Sequence, residues 1–165
     1  MVLLKKSKKM KKISKHISYK EATNSAYAKQ FGIENKPKAE HIKNMELIAE
    51  KVFEPLREWV GGPIRINSMY RCEELNRGLR GSPRSSHLTG NAIDLTTMGK
   101  KTNAEMFHYI KDNLDFDQLI WEYYNGDQPI WLHVSYKSKK DNRKQVLVIK
   151  KRGVYHTWVD DCKDC

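Results

Sequence analysis

The 165-residue chain has no long apolar run: nothing in it approaches the ~20 consecutive apolar residues of a membrane-spanning helix. A secretory signal is not expected either, because Met1-Val2-Leu3-Leu4 is too short an apolar stretch and precedes the lysines instead of following them. The expected setting is a cytoplasm as made, with action elsewhere if other machinery carries the protein out. Cysteine is scarce. Cys72, Cys162 and Cys165 are an odd number, and Cys162-x-x-Cys165 lacks the second pair of a zinc knuckle, so it reads as a frayed tail. No internal repeat and no interdomain linker is visible. The expectation is a single, monomeric domain large enough to bury a core. It spans residues 16–152, between a basic leader (1–15) and a C-terminal tail (153–165).

Acidic residues are missing from that leader, which holds seven lysines, and residues 137–152 hold eight basic residues against Asp141. The formal net charge of +11 therefore sits on two flanks, and residues 16–136 are close to neutral. Such flanks suit the anionic polymers of a bacterial envelope, such as teichoic acids, phospholipids or peptide carboxylates. A lysine-rich leader without aromatics reads most simply as a solubilising tail, and no specific nucleic-acid recognition is expected.

The apolar pattern predicts a short helix over Tyr19–Phe31 and a long amphipathic one over Ala39–Val60, with Ile42, Met45, Ala49, Val52, Phe53 and Leu56 on its buried stripe. Pro55 should kink or restart that helix, and Gly61-Gly62-Pro63 should end it and launch a strand from Ile64 to Tyr70. Further helices are expected at Cys72–Leu79 and Asn103–Asn113, and further strands at Ala92–Thr96 and around Leu119, His133 and Val146–Ile149. The class is α+β, with helices packed on an antiparallel sheet.

The chemistry is concentrated in Ser85-Ser86-His87-Leu88-Thr89-Gly90-Asn91-Ala92-Ile93-Asp94 and in Trp131-Leu132-His133-Val134-Ser135. Two histidines and one aspartate can hold a zinc ion and leave its fourth position to water. No fourth protein ligand stands near them, and an open site is what hydrolysis needs: zinc lowers the pKa of bound water and polarises the carbonyl under attack. Gly90 can adopt the backbone angles that turn both first ligands towards one point. Trp131, His133 and Ser135 share one strand face, so Trp131 is a candidate wall of the pocket. A histidine and an aspartate seven residues apart say little alone; a surface histidine and a strand-end aspartate would look the same.

The whole string says more. Ser85-x-His87-x-x-Gly90-x-Ala92-x-Asp94, followed by Trp131-x-His133, resembles the signature of the zinc D-Ala-D-Ala peptidases, the M15 peptidase family. Gly90-Asn91-Ala92-Ile93-Asp94-Leu95-Thr96-Thr97 is also similar to a segment of the hedgehog signalling domain, which shares that fold and zinc site. The resemblance runs from about Ile17 to about Lys151 and includes the lead-in Ile64-Arg65-Ile66-Asn67-Ser68-Met69-Tyr70-Arg71. It implies a hedgehog/DD-peptidase-like fold, one zinc ion on His87, Asp94 and His133, and D,D-carboxypeptidase activity on a peptidoglycan stem peptide. It also implies that Arg71 steadies the substrate carbonyl or developing oxyanion and that Ser85 helps to bind substrate. The bland alternatives are an Arg71 paired with Glu73 or Glu74 and a Ser85 that only shapes its loop. Related domains cut L-Ala-D-Glu bonds as endopeptidases, and small members look like phage endolysins. Hedgehog-type domains show that the fold also serves as a zinc-bearing, non-hydrolytic binding module.

A metallopeptidase needs a carboxylate to take the proton of the attacking water and pass it to the leaving amine. Many M15 members place an acid three residues before the last histidine, where this chain has Ile130. Glu122 is the favoured replacement, since a hairpin centred on Asn125-Gly126-Asp127-Gln128-Pro129 would set Glu122 directly opposite His133. In the hedgehog domain a strand glutamate likewise precedes the last zinc histidine. Asp127, nearer in sequence but in the turn, is the competitor. His16, His41, His108 and His156 lack partners at ligand-like intervals and are expected to be surface or packing residues.

Overall fold

A computed structural model describes residues 12–125 and 127–159 of the chain, leaving out the side chains of Tyr124 and Asn125. Most of the lysine leader, together with Cys162 and Cys165, lies outside the described residues. The leader's last residues are built into the fold. Lys12 bridges to Ser18, Ile13 and Ile17 are buried, and Ser14 and His16 both bond the carboxylate of Glu54.

The helix expected over Tyr19–Phe31 is two helices, α1 (Tyr19–Ala22) and α2 (Ala26–Phe31). The break falls at Thr23-Asn24-Ser25, whose side chains compete for backbone hydrogen bonds. The Thr23 hydroxyl donates to the Tyr19 carbonyl, and Ser25 caps α2 by accepting from the Ala28 N–H. The long amphipathic helix does restart at Pro55. It runs as α3 (Ala39–Ile48), a π-helical turn (Ala49–Phe53) and α4 (Glu54–Val60). Proline lacks the N–H of a regular helix interior and crowds the carbonyl four residues back, so the preceding turn widens and Pro55 takes a first-turn position. Met45, Ile48, Ala49, Val52, Phe53 and Leu56 still form one buried stripe.

Six strands follow, β1 (Ile64–Ser68), β2 (Ala92–Thr97), β3 (Gln118–Asn125), β4 (Gln128–Ser135), β5 (Gln145–Lys151) and β6 (Val154–Thr157), in the order β1-β2-β4-β3-β5-β6. Between them lie α5 (Glu73–Gly78), a 3-10 turn (Ser86–Thr89) and α6 (Asn103–Asn113). The sheet is mixed, which corrects the antiparallel expectation: β3 and β5 are parallel. The reason is the 136–144 connection. β4 ends beside the start of β3, and the chain passes round that end to begin β5 on β3's other side, with Gln145 opposite Gln118.

Asp117 pins the crossing. Its side chain is fully buried and accepts two bonds from Arg143, at 2.8 and 2.7 Å, while the Lys137 ammonium lies 3.3 Å away. Two cations of the basic 137–152 flank are thus structural. Residues 154–157, read from sequence as tail, add a sixth strand that contains His156.

One face of the sheet carries Ile93, Leu95, Leu119, Trp121, Leu132, Val134 and Val148 against the helices and forms the core. Strand alternation leaves the opposite face to Asp94, His133 and Glu122.

Candidate metal centre and active site

The three candidate ligands come from three local structures. His87 sits in the 3-10 turn, capped by the Ser85 hydroxyl, which accepts from the His87 N–H at 3.4 Å. Asp94 and His133 are direct partners across β2 and β4. Gly90 is what lets the turn run straight into β2. Its φ of +76° is left-handed, and a side chain there would press on the His41 carbonyl, 2.5 Å from an ideal Cβ. The turn is therefore packed tightly on α3.

The metal-facing atoms of His87, Asp94 and His133 all lie within 4.8 Å of one another. Asp94 Oδ1 is 3.1 Å from His87 Nε2 and 2.8 Å from His133 Nδ1. The two imidazoles stand edge to face, with centroids 5.1 Å apart.

The donor set fits a cation for a specific reason. His87 Nδ1 lies 2.6 Å from the Met69 carbonyl. A carbonyl only accepts, so Nδ1 carries the proton there. Burial pushes the His87 imidazole below its ordinary value despite the pull of Asp94, which favours the neutral ring. Its Nε2 then aims a lone pair at another acceptor, Asp94 Oδ1, an opposition that a metal ion between them resolves. A backbone carbonyl that fixes the far nitrogen of a ligand histidine is also a usual companion of a metal site.

Burial acts to raise the Asp94 carboxyl, yet its two histidines prevail and hold it well below the usual carboxylate range. Burial acts to lower His133, and Asp94 and Glu122 outweigh it, raising the imidazole.

Arg71 is brought to this cluster. β1 ends at Ser68, not Tyr70, after a register shift between Ile66 and Ser68. Such irregularities commonly re-aim side chains next to active sites. The Arg71 backbone N–H donates to the His87 carbonyl. Its guanidinium donates from Nε to Ser68 Oγ at 2.7 Å and from one terminal nitrogen to Asp94 Oδ2 at 2.6 Å. Asp94, rather than Glu73 or Glu74, is its partner. Asn35 secures the same segment by bonding the Thr23 and Tyr70 carbonyls and the Cys72 N–H.

The β3–β4 register corrects one expectation. Asn125 pairs with Gln128, so the strands continue almost to the turn and every pair shifts by two residues. Ile120, not Glu122, lies opposite His133, and Glu122 lies opposite Trp131. A shift of two preserves the face, so Glu122 remains a diagonal neighbour of His133. Burial raises the Glu122 carboxyl, with the nearby His133, a hydrogen bond from Trp131 and Arg71 opposing it. Indole has one donor, its N–H, so Trp131 points that group at the carboxylate.

Asp127 is elsewhere. It is exposed and lines a groove of about 670 Å³ beside α6 with Trp59, His108 and Tyr109, none of them a ligand candidate. Ile130 is 49% exposed. His16, His41, His108 and His156 stay outside the cluster among the described residues. Sequence reasoning missed the Met69 carbonyl, Ser68 and Asn35. The first is backbone and carries no residue signal, and the other two resemble ordinary strand-end and loop residues.

A sequence model of the Peptidase M15 family matches residues 15–135. The chain belongs to the M15 peptidases. No curated protein sequence matches it. M15 peptidases are zinc-dependent, so zinc is the metal that the His-Asp-His cluster of this family member would hold, and a peptide is its substrate class. No helix among the described residues is long and apolar enough to cross a membrane.

Proposed function

We propose that this M15 peptidase hydrolyses D-amino-acid-containing stem peptides of bacterial peptidoglycan and releases the terminal residue of a D-Ala-D-Ala end. The observation that carries the reading is the half-buried carboxylate of Glu122 on the sheet face of Asp94 and His133, beside the His87, Asp94 and His133 cluster, with its affinity for a proton raised.

Zinc on the three ligands supplies Lewis acidity towards a carbonyl oxygen and towards water. Glu122 takes the proton of the attacking water and hands it to the leaving nitrogen, a task suited to a carboxyl raised towards neutrality. Trp131 keeps that carboxylate turned towards the cluster. Arg71 commits Nε–H and one terminal N–H to Ser68 and Asp94. Three of its five N–H groups are left for a substrate carbonyl and the negative charge that builds on it. Ser85 supports the His87 turn and faces the substrate from there.

Glu122 is preferred to Asp127 because Asp127 borders the separate groove by α6. The exposed Lys139 and Lys140 suit anionic envelope polymers near such a substrate. We propose a monomer acting on the wall after release from the cytoplasm.

The test is incubation of the zinc-loaded protein with synthetic stem peptides, alongside Glu122→Ala, with products identified by mass spectrometry. Loss of one terminal alanine with the parent protein alone is the expected result. An internal cut would make the protein an L-Ala-D-Glu type endopeptidase, and intact peptides would make it a zinc-bearing binding module.

A further inference from the structure

The family match ends at Ser135, yet the sheet face that holds the candidate site continues past it. Glu122 pairs with Trp131 on one side and with Ile149 on the other, and Ile149 pairs with Tyr155. Directly paired residues share a face, so Trp131, Glu122, Ile149 and Tyr155 form one row across β4, β3, β5 and β6. The opposite face gives an independent check: Trp158, an odd number of positions from Tyr155, stacks on core Trp121 with centroids 5.1 Å apart.

Tyr155 is 54% exposed, although a large aromatic on the face that carries Glu122 is an unusual thing to leave to solvent. The charge of Glu122 reaches the phenol, which burial and then Glu122 and Tyr123 hold above its ordinary value.

The hairpin that carries Tyr155 is not a loose end. Trp158 anchors it on the core side against Phe107 and Trp121. At its turn, Arg152 donates to the carbonyls of Leu79 and Arg80, at 2.9 and 3.1 Å. Leu79 and Arg80 follow α5 and precede the His87 turn, so Arg152 ties the hairpin to the opposite side of the site. Held at the core, along the ladder and at the turn, the β5–β6 hairpin is a fixed wall.

We propose that this hairpin bounds the substrate cleft and that Tyr155 is its specificity-determining residue, contacting the peptide two strands away from Glu122, past Ile149. The ligand is a peptide with small apolar side chains. The Tyr155 ring, at the far end of the row from Trp131, offers apolar surface to a methyl group, and its hydroxyl offers a hydrogen bond to a peptide unit. The proposal rests on the peptidase reading above.

It is tested by titrating the zinc-loaded Glu122→Ala protein with the pentapeptide L-Ala-γ-D-Glu-L-Lys-D-Ala-D-Ala in a calorimeter, with Tyr155→Ala and Tyr155→Phe added in turn. Steady-state kinetics of the same Tyr155 variants are measured with Glu122 intact. Tyr155→Ala is expected to weaken binding on the order of tenfold and to raise KM with little change in kcat. Tyr155→Phe should recover most of the ring's share. Zinc content and Tm should not move, since the side chain is half exposed. Binding by Tyr155→Ala within twofold of its parent overturns the proposal, as does a Glu122→Ala protein that binds no pentapeptide. The two readings fail separately: Tyr155-dependent binding without hydrolysis by the parent protein leaves the wall and removes the peptidase. Hydrolysis indifferent to Tyr155 does the reverse.

Discussion

Arg71 grips the outer oxygen of Asp94 at 2.6 Å and leaves the inner oxygen to the two histidines. One side chain therefore aims a candidate metal ligand and, in the proposed mechanism, presents spare N–H groups to the substrate. Lysine keeps the charge but cannot bond Ser68 and Asp94 in that fork geometry. Arg71→Lys should weaken zinc binding by about tenfold, as removal of a group that orients a ligand does. It should lower kcat by on the order of a hundredfold at saturating zinc. Metal titration followed by kinetics at saturation separates the two effects. A variant with normal zinc affinity would confine Arg71 to the substrate.

Gly90 makes two demands at once, a left-handed φ and space against the His41 carbonyl, whereas Gly99, with φ +102°, has no heavy atom within 4 Å of an ideal Cβ. Alanine at either position bears a backbone cost of about 1–2 kcal/mol. Only at Gly90 must α3 or the His87 turn also move. Chemical denaturation should show Gly90→Ala less stable than Gly99→Ala, and zinc affinity should fall in the first alone. Equal behaviour of the two variants would remove the packing argument.

What the sequence made legible follows from locality. The His87, Gly90 and Asp94 string fixes a turn and a strand within eight residues, so its geometry is nearly all local, and α6 came out with its bounds intact. Pro55 announced the interruption of the long helix because a missing N–H acts within one turn. Register is another matter. The length of the β3–β4 turn decides whether Glu122 faces His133 or Trp131, and the Asn-Gly signal marks a turn without fixing where pairing begins. The mixed sheet was hidden for a similar reason. It depends on Asp117, 26 residues from Arg143, and a buried carboxylate in sequence looks like any surface aspartate.

That Asp117 centre makes a pH-dependent contribution to stability. Burial alone would raise the carboxyl, but Arg143 and Lys137 bring it below the ordinary aspartate value. A depressed folded pKa stabilises fully above the unfolded value, about 3.9. That stability is lost as pH falls through the folded value. Denaturation midpoints measured from pH 7 downwards should hold until about pH 4 and then fall, and Asp117→Asn should flatten that fall. At pH 7, Arg143→Ala leaves the buried carboxylate with Lys137 as its cation, beside the Ser135 hydroxyl and the backbone N–H of residue 143. The expected cost is roughly 2–3 kcal/mol, below that of a fully buried pair because the Arg143 side chain is half exposed. An unchanged midpoint for Arg143→Ala would show that Lys137 suffices.

Glu122 and Trp131 should be separable by what each does to metal and to chemistry. Glu122→Gln keeps the size and polarity of the side chain but cannot accept the water's proton, so kcat should fall at least a thousandfold, within the range for loss of a positioned base. Zinc should stay bound, because the proposed ligands are His87, Asp94 and His133. Trp131→Phe keeps the apolar wall and removes the indole N–H that faces Glu122 from the paired position. A mobile Glu122 still works when it reaches the right position, so the expected loss is nearer tenfold, in kcat rather than in zinc affinity. The double variant decides whether they act as a unit. If Trp131 works through Glu122, adding Trp131→Phe to Glu122→Gln costs nothing further. A further tenfold loss would give Trp131 its own contact with the substrate and separate the wall from the base.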